Sequence, residues 1–257
     1  MSNLYLDKNQ KYVCGNGTGL NDFFSMVASV LNTAQLLEMN LNNLYFYHGS
    51  IDPYEDLNKY LNFKQINYIN RKDYETRKEE FIMLCPQPSG NTNMSWGTPF
   101  HLRNFISYKK EILEEASEYF CPIGMHFRCM SLEAYHKIPE KQKDIEQELD
   151  NYKKLFLKNY SENNSYFCAS DSLDLMNFLS TFKNVKYIKK SENPALTYNR
   201  RNNTKEAILD LAALSDCDKV YFTRGRFTEL SMALNTKLIQ TPFAAHMDQR
   251  SYRQMFD

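Results

Sequence analysis

The chain has 257 residues, enough for one large domain or two smaller ones, and its 31 Lys and Arg balance 31 Asp and Glu. Zero net charge argues against a nucleic-acid partner, because duplex binders carry a basic excess, and no apolar run approaches the ~20 residues that span a bilayer. The polar opening Met1-Ser2-Asn3-Leu4-Tyr5-Leu6-Asp7 does not read as a signal peptide, and the six cysteines form no Cys-x-x-Cys pair. A soluble, cytoplasmic protein without structural zinc, a disulfide framework or a transmembrane segment is the expectation.

The predicted elements begin with a strand at Lys11-Tyr12-Val13-Cys14 and a glycine-rich turn at Gly15-Asn16-Gly17-Thr18-Gly19. Leu20, Phe23, Phe24, Val27, Val30, Leu31, Ala34 and Leu37 then recur at mostly three- and four-residue spacing, which predicts a helix. A strand is expected at Asn43 to His48 and a short helix around Tyr54 to Leu61, with further strands at Asn67 to Ile69 and Phe81 to Leu84. Pro86 to Asn93 is a loop by composition, and a helix from about Leu102 to Tyr119 follows.

Beyond Cys121 strands and helices alternate regularly. Strands at Ile123, Tyr166 to Ala169, Val185 to Ile188 and Lys219 to Phe222 are separated by helices at Glu140 to Lys158, Ser172 to Phe182 and Thr204 to Leu214. A last helix covers Phe227 to Leu234. Such alternation implies a parallel sheet covered on both faces, whose ligands sit at the carboxyl ends of its strands. Gly124 to Arg128, Ser170-Asp171 and Thr223 to Arg226 each fall at such an end.

Gly124-Met125-His126-Phe127-Arg128 reads as a strand that turns into a diphosphate site. Gly124 would let the backbone approach, and Arg128 offers a rigid fork of donors suited to phosphate oxygens. A buried histidine followed by a surface arginine is the blander alternative. Asp216-Cys217-Asp218 has the spacing of a metal clamp but precedes its strand, so a solvated or structural role is preferred. Trp96 reads as a core anchor or as a platform for a sugar, and Arg200-Arg201 as a solvated loop pair.

Three segments in order resemble the donor motifs of the fucosyltransferase superfamily with the GT-B fold. They are Gly124-x-His126-x-Arg128, the strand ending in Ala169-Ser170-Asp171, and Leu214-Ser215-Asp216-Cys217-Asp218 leading to Val220-Tyr221-Phe222-Thr223. Gly17 to Phe24 is similar to that family's glycine-rich opening. The resemblance implies an α/β, GT-B-like fold of two Rossmann-like halves with parallel sheets facing a cleft. Residues 1–105 would form the acceptor side and 106–257 the donor-binding side.

It further implies an inverting, metal-independent glycosyltransferase without a cofactor, transferring L-fucose from GDP-fucose to a glycan hydroxyl. Arg128 would be catalytic, stabilising the departing diphosphate, and Gly124, His126, Asp171, Asp218, Thr223 and Arg226 would bind the donor. The chain departs from the motifs at Ser131, where the family commonly has Asp, and at Arg224-Gly225-Arg226, where adjacent serines are usual. Another nucleotide-activated hexose as donor, or a degenerate protein that only binds nucleotide sugar, therefore remain alternatives. The motifs do not identify the general base; Glu133 and Asp22 are candidates, with a structural or solvated role the preferred reading of each. An S-adenosylmethionine-dependent methyltransferase is a rival whose glycine-rich turn is met at Gly15 to Gly19, while Tyr47-His48-Gly49 lacks its acidic strand end.

Overall fold

Two four-stranded parallel sheets organise the computed structural model, which describes residues 10–16, 20, 23–24, 26–28, 30–31, 40–48, 56–85, 102–129, 137–190, 204–223 and 227–234. Contacts divide the chain into two units, Met1–Lys109 and Lys110–Asp257.

In the first unit, β1 (Lys11–Asn16) lies between β2 (Leu44–His48) and β5 (Phe81–Cys85), and β4 (Asn67–Tyr68) adds to the outside of β2. All these pairs are parallel. Val13, Cys14, Leu44 and Phe46 are fully buried, as expected of strands covered on both faces. Helical residues at 20, 23, 24, 26–28, 30 and 31 supply buried Phe23, Phe24, Val27 and Leu31, so the predicted apolar stripe packs inward. β1 runs on to Asn16, so Gly15 is a strand residue rather than part of a turn. It makes room for a ring: a Cβ there would fall 1.9 Å from Tyr47 Cε1.

Of the helix predicted around Tyr54 to Leu61, the described residues form a single 3₁₀ turn, Leu57–Lys59, followed by the strand β3 (Leu61–Phe63). A helix absent from the sequence reading, α1 (Arg71–Arg77), has no buried residue and hence no apolar stripe; Asn70 caps it by accepting from the Asp73 N–H at 2.9 Å. The helix expected from Leu102 to Tyr119 is two helices, α2 (Leu102–Phe105) and α3 (Lys110–Ser117), split by β6 (Ile106–Tyr108). In β6 Ile106 and Tyr108 are buried and Ser107 is not, a period of two that fits antiparallel pairing with β3. That pairing carries β6 into the first unit.

In the second unit the sheet order is β10 (Lys219–Phe222), β7 (Ile123–Phe127), β8 (Tyr166–Ser170), β9 (Val185–Lys186), all parallel. Met125 and Phe127 face one side, where α4 (Gln142–Asn159) contributes Ile145, Leu149, Tyr152 and Phe156 and α5 (Leu173–Leu179) contributes Leu175, Met176 and Leu179. Gly124 and His126 face the other, towards α6 (Thr204–Asp216) and α7 (Phe227–Leu234). Ile208 to Ser215 are buried without interruption because α6 lies between the sheet and helices α3 and α7. The described cysteines Cys14, Cys121, Cys129, Cys168 and Cys217 are buried thiols, none in a disulfide. No described helix is long and apolar enough to cross a membrane.

Candidate functional site

The carboxyl ends of β7, β8 and β10 bring Arg128, Asp171 and Thr223 together. Phe127 pairs with Ser170 and Phe222 with His126, so the three strands end within one residue of one another and the residues that follow them meet. Arg128 Nη1 donates to Asp171 Oδ2 in an ion pair whose side chains are only 16% and 11% exposed. Asp171 Oδ1 accepts from the Cys129 N–H at 2.9 Å. Thr223 Oγ1 accepts from the Arg128 N–H at 2.7 Å, and the Thr223 N–H donates to His126 O at 2.9 Å. The arginine is thus held by its guanidinium and its backbone, which aims one charged fork before a ligand arrives.

Several of the residues expected at the donor also have partners within the fold. Asp171 engages both oxygens within the protein, so it positions Arg128. Thr223 is buried, and its hydroxyl ties β10 to β7. Gly124 lies inside β7 instead of at a turn, and its missing side chain serves packing: a Cβ would sit 3.0 Å from both Leu214 Cδ2 and Cys217 Sγ of the α6 layer. β7 therefore includes four of the five motif residues, and only Arg128 lies beyond it.

His126 is 6% exposed, and its Nδ1 meets Thr228 Oγ1 of α7 at 2.9 Å. Its ring also leans on Phe227, with centroids 5.2 Å apart. Burial, and secondarily the charges of Arg128 and Lys190, push its pKa down to about 3, so the imidazole is neutral. Its ring anchors α7 to the sheet.

Asp218 stands before β10, where its N–H donates to Pro122 O at 3.0 Å. The four residues of β10 separate it from Thr223, roughly 16 Å along the strand, so it belongs to the opposite end of the sheet. Among the described residues no three His, Cys, Asp or Glu side chains gather into a group able to hold a cation. Arg226, together with Asp22, Trp96, Ser131, Glu133 and Arg200-Arg201, lies outside the described residues.

Asp210 was missed in the sequence. It sits in the middle of α6, paired through Oδ2 with Lys190 Nζ, the two side chains being 9% and 10% exposed. Among the described residues its buried Oδ1 has no hydrogen-bond partner. Burial pushes the carboxyl pKa up, Lys190 opposes this, and Glu206 adds a smaller upward push. A buried carboxylate oxygen without a donor is costly, which makes it a place where a ligand N–H is wanted. The available signal was a lone acid in the apolar run Ala207-Ile208-Leu209-Asp210-Leu211-Ala212-Ala213-Leu214.

The parallel sheets and their crossover helices define an α/β fold of the GT-B type. Solved fucosyltransferases share it. The NodZ α-1,6-fucosyltransferase soaked with GDP-fucose superposes with a TM-score of 0.55 at 16% identity, covering 88% of this chain and 92% of that one. The same enzyme co-crystallised with GDP gives 0.52 at 16% identity over 87% and 92%. Fucosyltransferase NodZ from Bradyrhizobium gives 0.53 at 16% identity over 87% and 93%. At this identity the likeness is one of fold. In sequence, no protein-family model and no curated protein matches the chain.

Proposed function

We propose that the protein is an inverting glycosyltransferase that moves L-fucose from GDP-fucose to a hydroxyl of a glycan. The observation that carries this reading is Arg128 at the carboxyl edge of a parallel sheet, its guanidinium held by Asp171 and its backbone N–H by Thr223. The fold supports it, since NodZ, solved with GDP-fucose and with GDP, shares that fold.

In the proposed reaction the acceptor oxygen attacks the anomeric carbon as the bond from that carbon to the diphosphate oxygen breaks. The electron pair leaves with GDP, and the acceptor proton passes to a general base. Arg128 stabilises the charge that grows on the diphosphate, and its pre-set orientation removes the cost of ordering it during the reaction. Arg128 supplies the positive charge in this scheme, so turnover is expected to persist in EDTA.

Asp210 and Lys190 are assigned to the base. Oδ1 of Asp210 is an acceptor awaiting a donor, and the neighbouring ammonium carries further N–H donors. Guanine presents N1–H and the exocyclic amino group beside the O6 acceptor, a pattern that complements this pair.

Calorimetric titration with GDP tests the reading. The unaltered protein is expected to bind without added metal, and Arg128→Ala to weaken GDP by roughly 10- to 100-fold, the loss of one charge-assisted contact. Asp210→Asn is expected to weaken GDP about tenfold, because an amide cannot repeat the acceptor-only pattern. Preference for UDP over GDP would retain sugar transfer and change the donor. Unchanged GDP affinity in Arg128→Ala would sink the assignment.

A further inference from the structure

We propose that Tyr152 is a positioning residue for Arg128, holding the arginine's carbonyl so that its side chain points at the diphosphate; this rests on the donor-site reading above. Tyr152 lies on α4, on the face that covers the sheet, and is 8% exposed. Its ring packs on Phe127 with centroids 5.8 Å apart, which carries the hydroxyl just past the end of β7. There the O–H donates to Arg128 O at 2.7 Å. One helical turn earlier, Glu148 Oε1 accepts from the same phenol at 2.9 Å, so its one proton is shared between the Arg128 carbonyl and the Glu148 carboxylate, and the Thr223 hydroxyl also interacts with the phenol oxygen.

The consequence is a clamp on both peptide planes around Arg128. The plane before it is held by its N–H on Thr223 Oγ1, 2.7 Å away. The plane after it is held at both ends: Tyr152 donates to its carbonyl, and its N–H, that of Cys129, donates to Asp171 Oδ1 at 2.9 Å. With both planes fixed, the φ and ψ of Arg128 are fixed, and so is the direction of its Cα–Cβ bond. Asp171 then sets the guanidinium at the far end. Each restraint comes from a different element: β10, α4 and the end of β8. Burial, with Glu148 adding to it, pushes the phenol pKa well up, so the hydroxyl remains a donor across the working range.

A hydroxyl that merely satisfied a buried carbonyl would affect stability alone. Positioning predicts something narrower. Tyr152→Phe removes one oxygen and keeps the ring on Phe127, so the core is retained. In the full chain, GDP affinity is expected to fall roughly fivefold while guanosine affinity is unchanged, since guanosine has no phosphate for Arg128 to reach. In an Arg128→Ala background the same substitution is expected to have no further effect on GDP. Equal losses for GDP and guanosine, or a loss that adds to that of Arg128→Ala, would overturn the proposal.

A second readout needs no nucleotide. In the ligand-free protein, Tyr152→Phe is expected to speed hydrogen exchange at the Arg128 and Cys129 amides about tenfold while the amides of α4 hold their protection. Unchanged exchange at those two amides overturns the clamp. Absence of GDP binding in the unaltered protein, with faster exchange in the variant, would overturn the nucleotide reading and leave the clamp standing.

Discussion

His126 shows how far environment moves a single residue. With its pKa held near 3 in the fold against 6.5 as a reference, the unfolded chain takes up a proton between these values and the native chain does not. Its contribution is therefore complete above pH 6.5 and is lost as pH falls, at roughly 1.4 kcal/mol per pH unit. Asp210 acts in the opposite sense: its raised pKa means the native state binds the proton first, which favours folding as pH drops towards 3.8. Urea unfolding from pH 7 to 4.5 is expected to show falling stability, and His126→Asn to flatten that fall. A profile unchanged in His126→Asn would show that the imidazole charges freely in the folded state. Asp210→Ala is expected to cost about 3–5 kcal/mol by leaving the Lys190 ammonium buried and unpaired, and Lys190→Met in that background to restore part of it.

At the scale of elements, the two close approaches by glycine differ in what surrounds them. At Gly124 the neighbours are the ends of Leu214 and Cys217, which can yield by a few tenths of an ångström. Gly124→Ala is expected to cost about 1 kcal/mol in chemical denaturation. At Gly15 an added Cβ would lie 1.9 Å from the Tyr47 ring, itself stacked on Tyr74 at 4.3 Å, so Gly15→Ala must displace both rings and is expected to cost more, about 3 kcal/mol. Equal costs at the two positions would show that the stack moves freely. The strand that interrupts the helix expected at Leu102 to Tyr119 is a further lesson at this scale. Ile106-Ser107-Tyr108 has no strand length of its own; its pairing with Leu61–Phe63, more than forty residues earlier, decides its state.

For the whole molecule, every residue assigned to the nucleotide belongs to the unit Lys110–Asp257. Hydrogen-exchange mass spectrometry with saturating GDP is expected to protect peptides containing Arg128, Asp171 and Asp210, because ligand binding raises the free energy of opening where the ligand is held. Protection confined to residues 1–109 would place the nucleotide elsewhere and displace Arg128 from its role. Much of the second unit was legible beforehand. Tyr166-Phe167-Cys168-Ala169 is an uninterrupted apolar run of strand length, and α7 covers the residues its apolar spacing predicts, because in both the local pattern and the burial agree. The polar helix Arg71–Arg77 was not legible, since it has no buried face to leave a period in the sequence.

The chain by itself determined the alternation of strands and helices, and with it a parallel sheet whose strand ends carry Arg128, Asp171 and Thr223. It did so because periodicity and strand-end chemistry are local properties. Only the tertiary structure decided which partners each of these groups meets within the fold. It turned His126 onto Thr228, gave Gly124 to the packing of α6, set Asp218 at the far end, and gathered Asp171, Thr223 and Tyr152 around one arginine. The physical reason is that a hydrogen bond between residues 24 to 102 positions apart leaves no period and no spacing in the sequence. It exists only once register and helix packing have brought its partners within 3 Å.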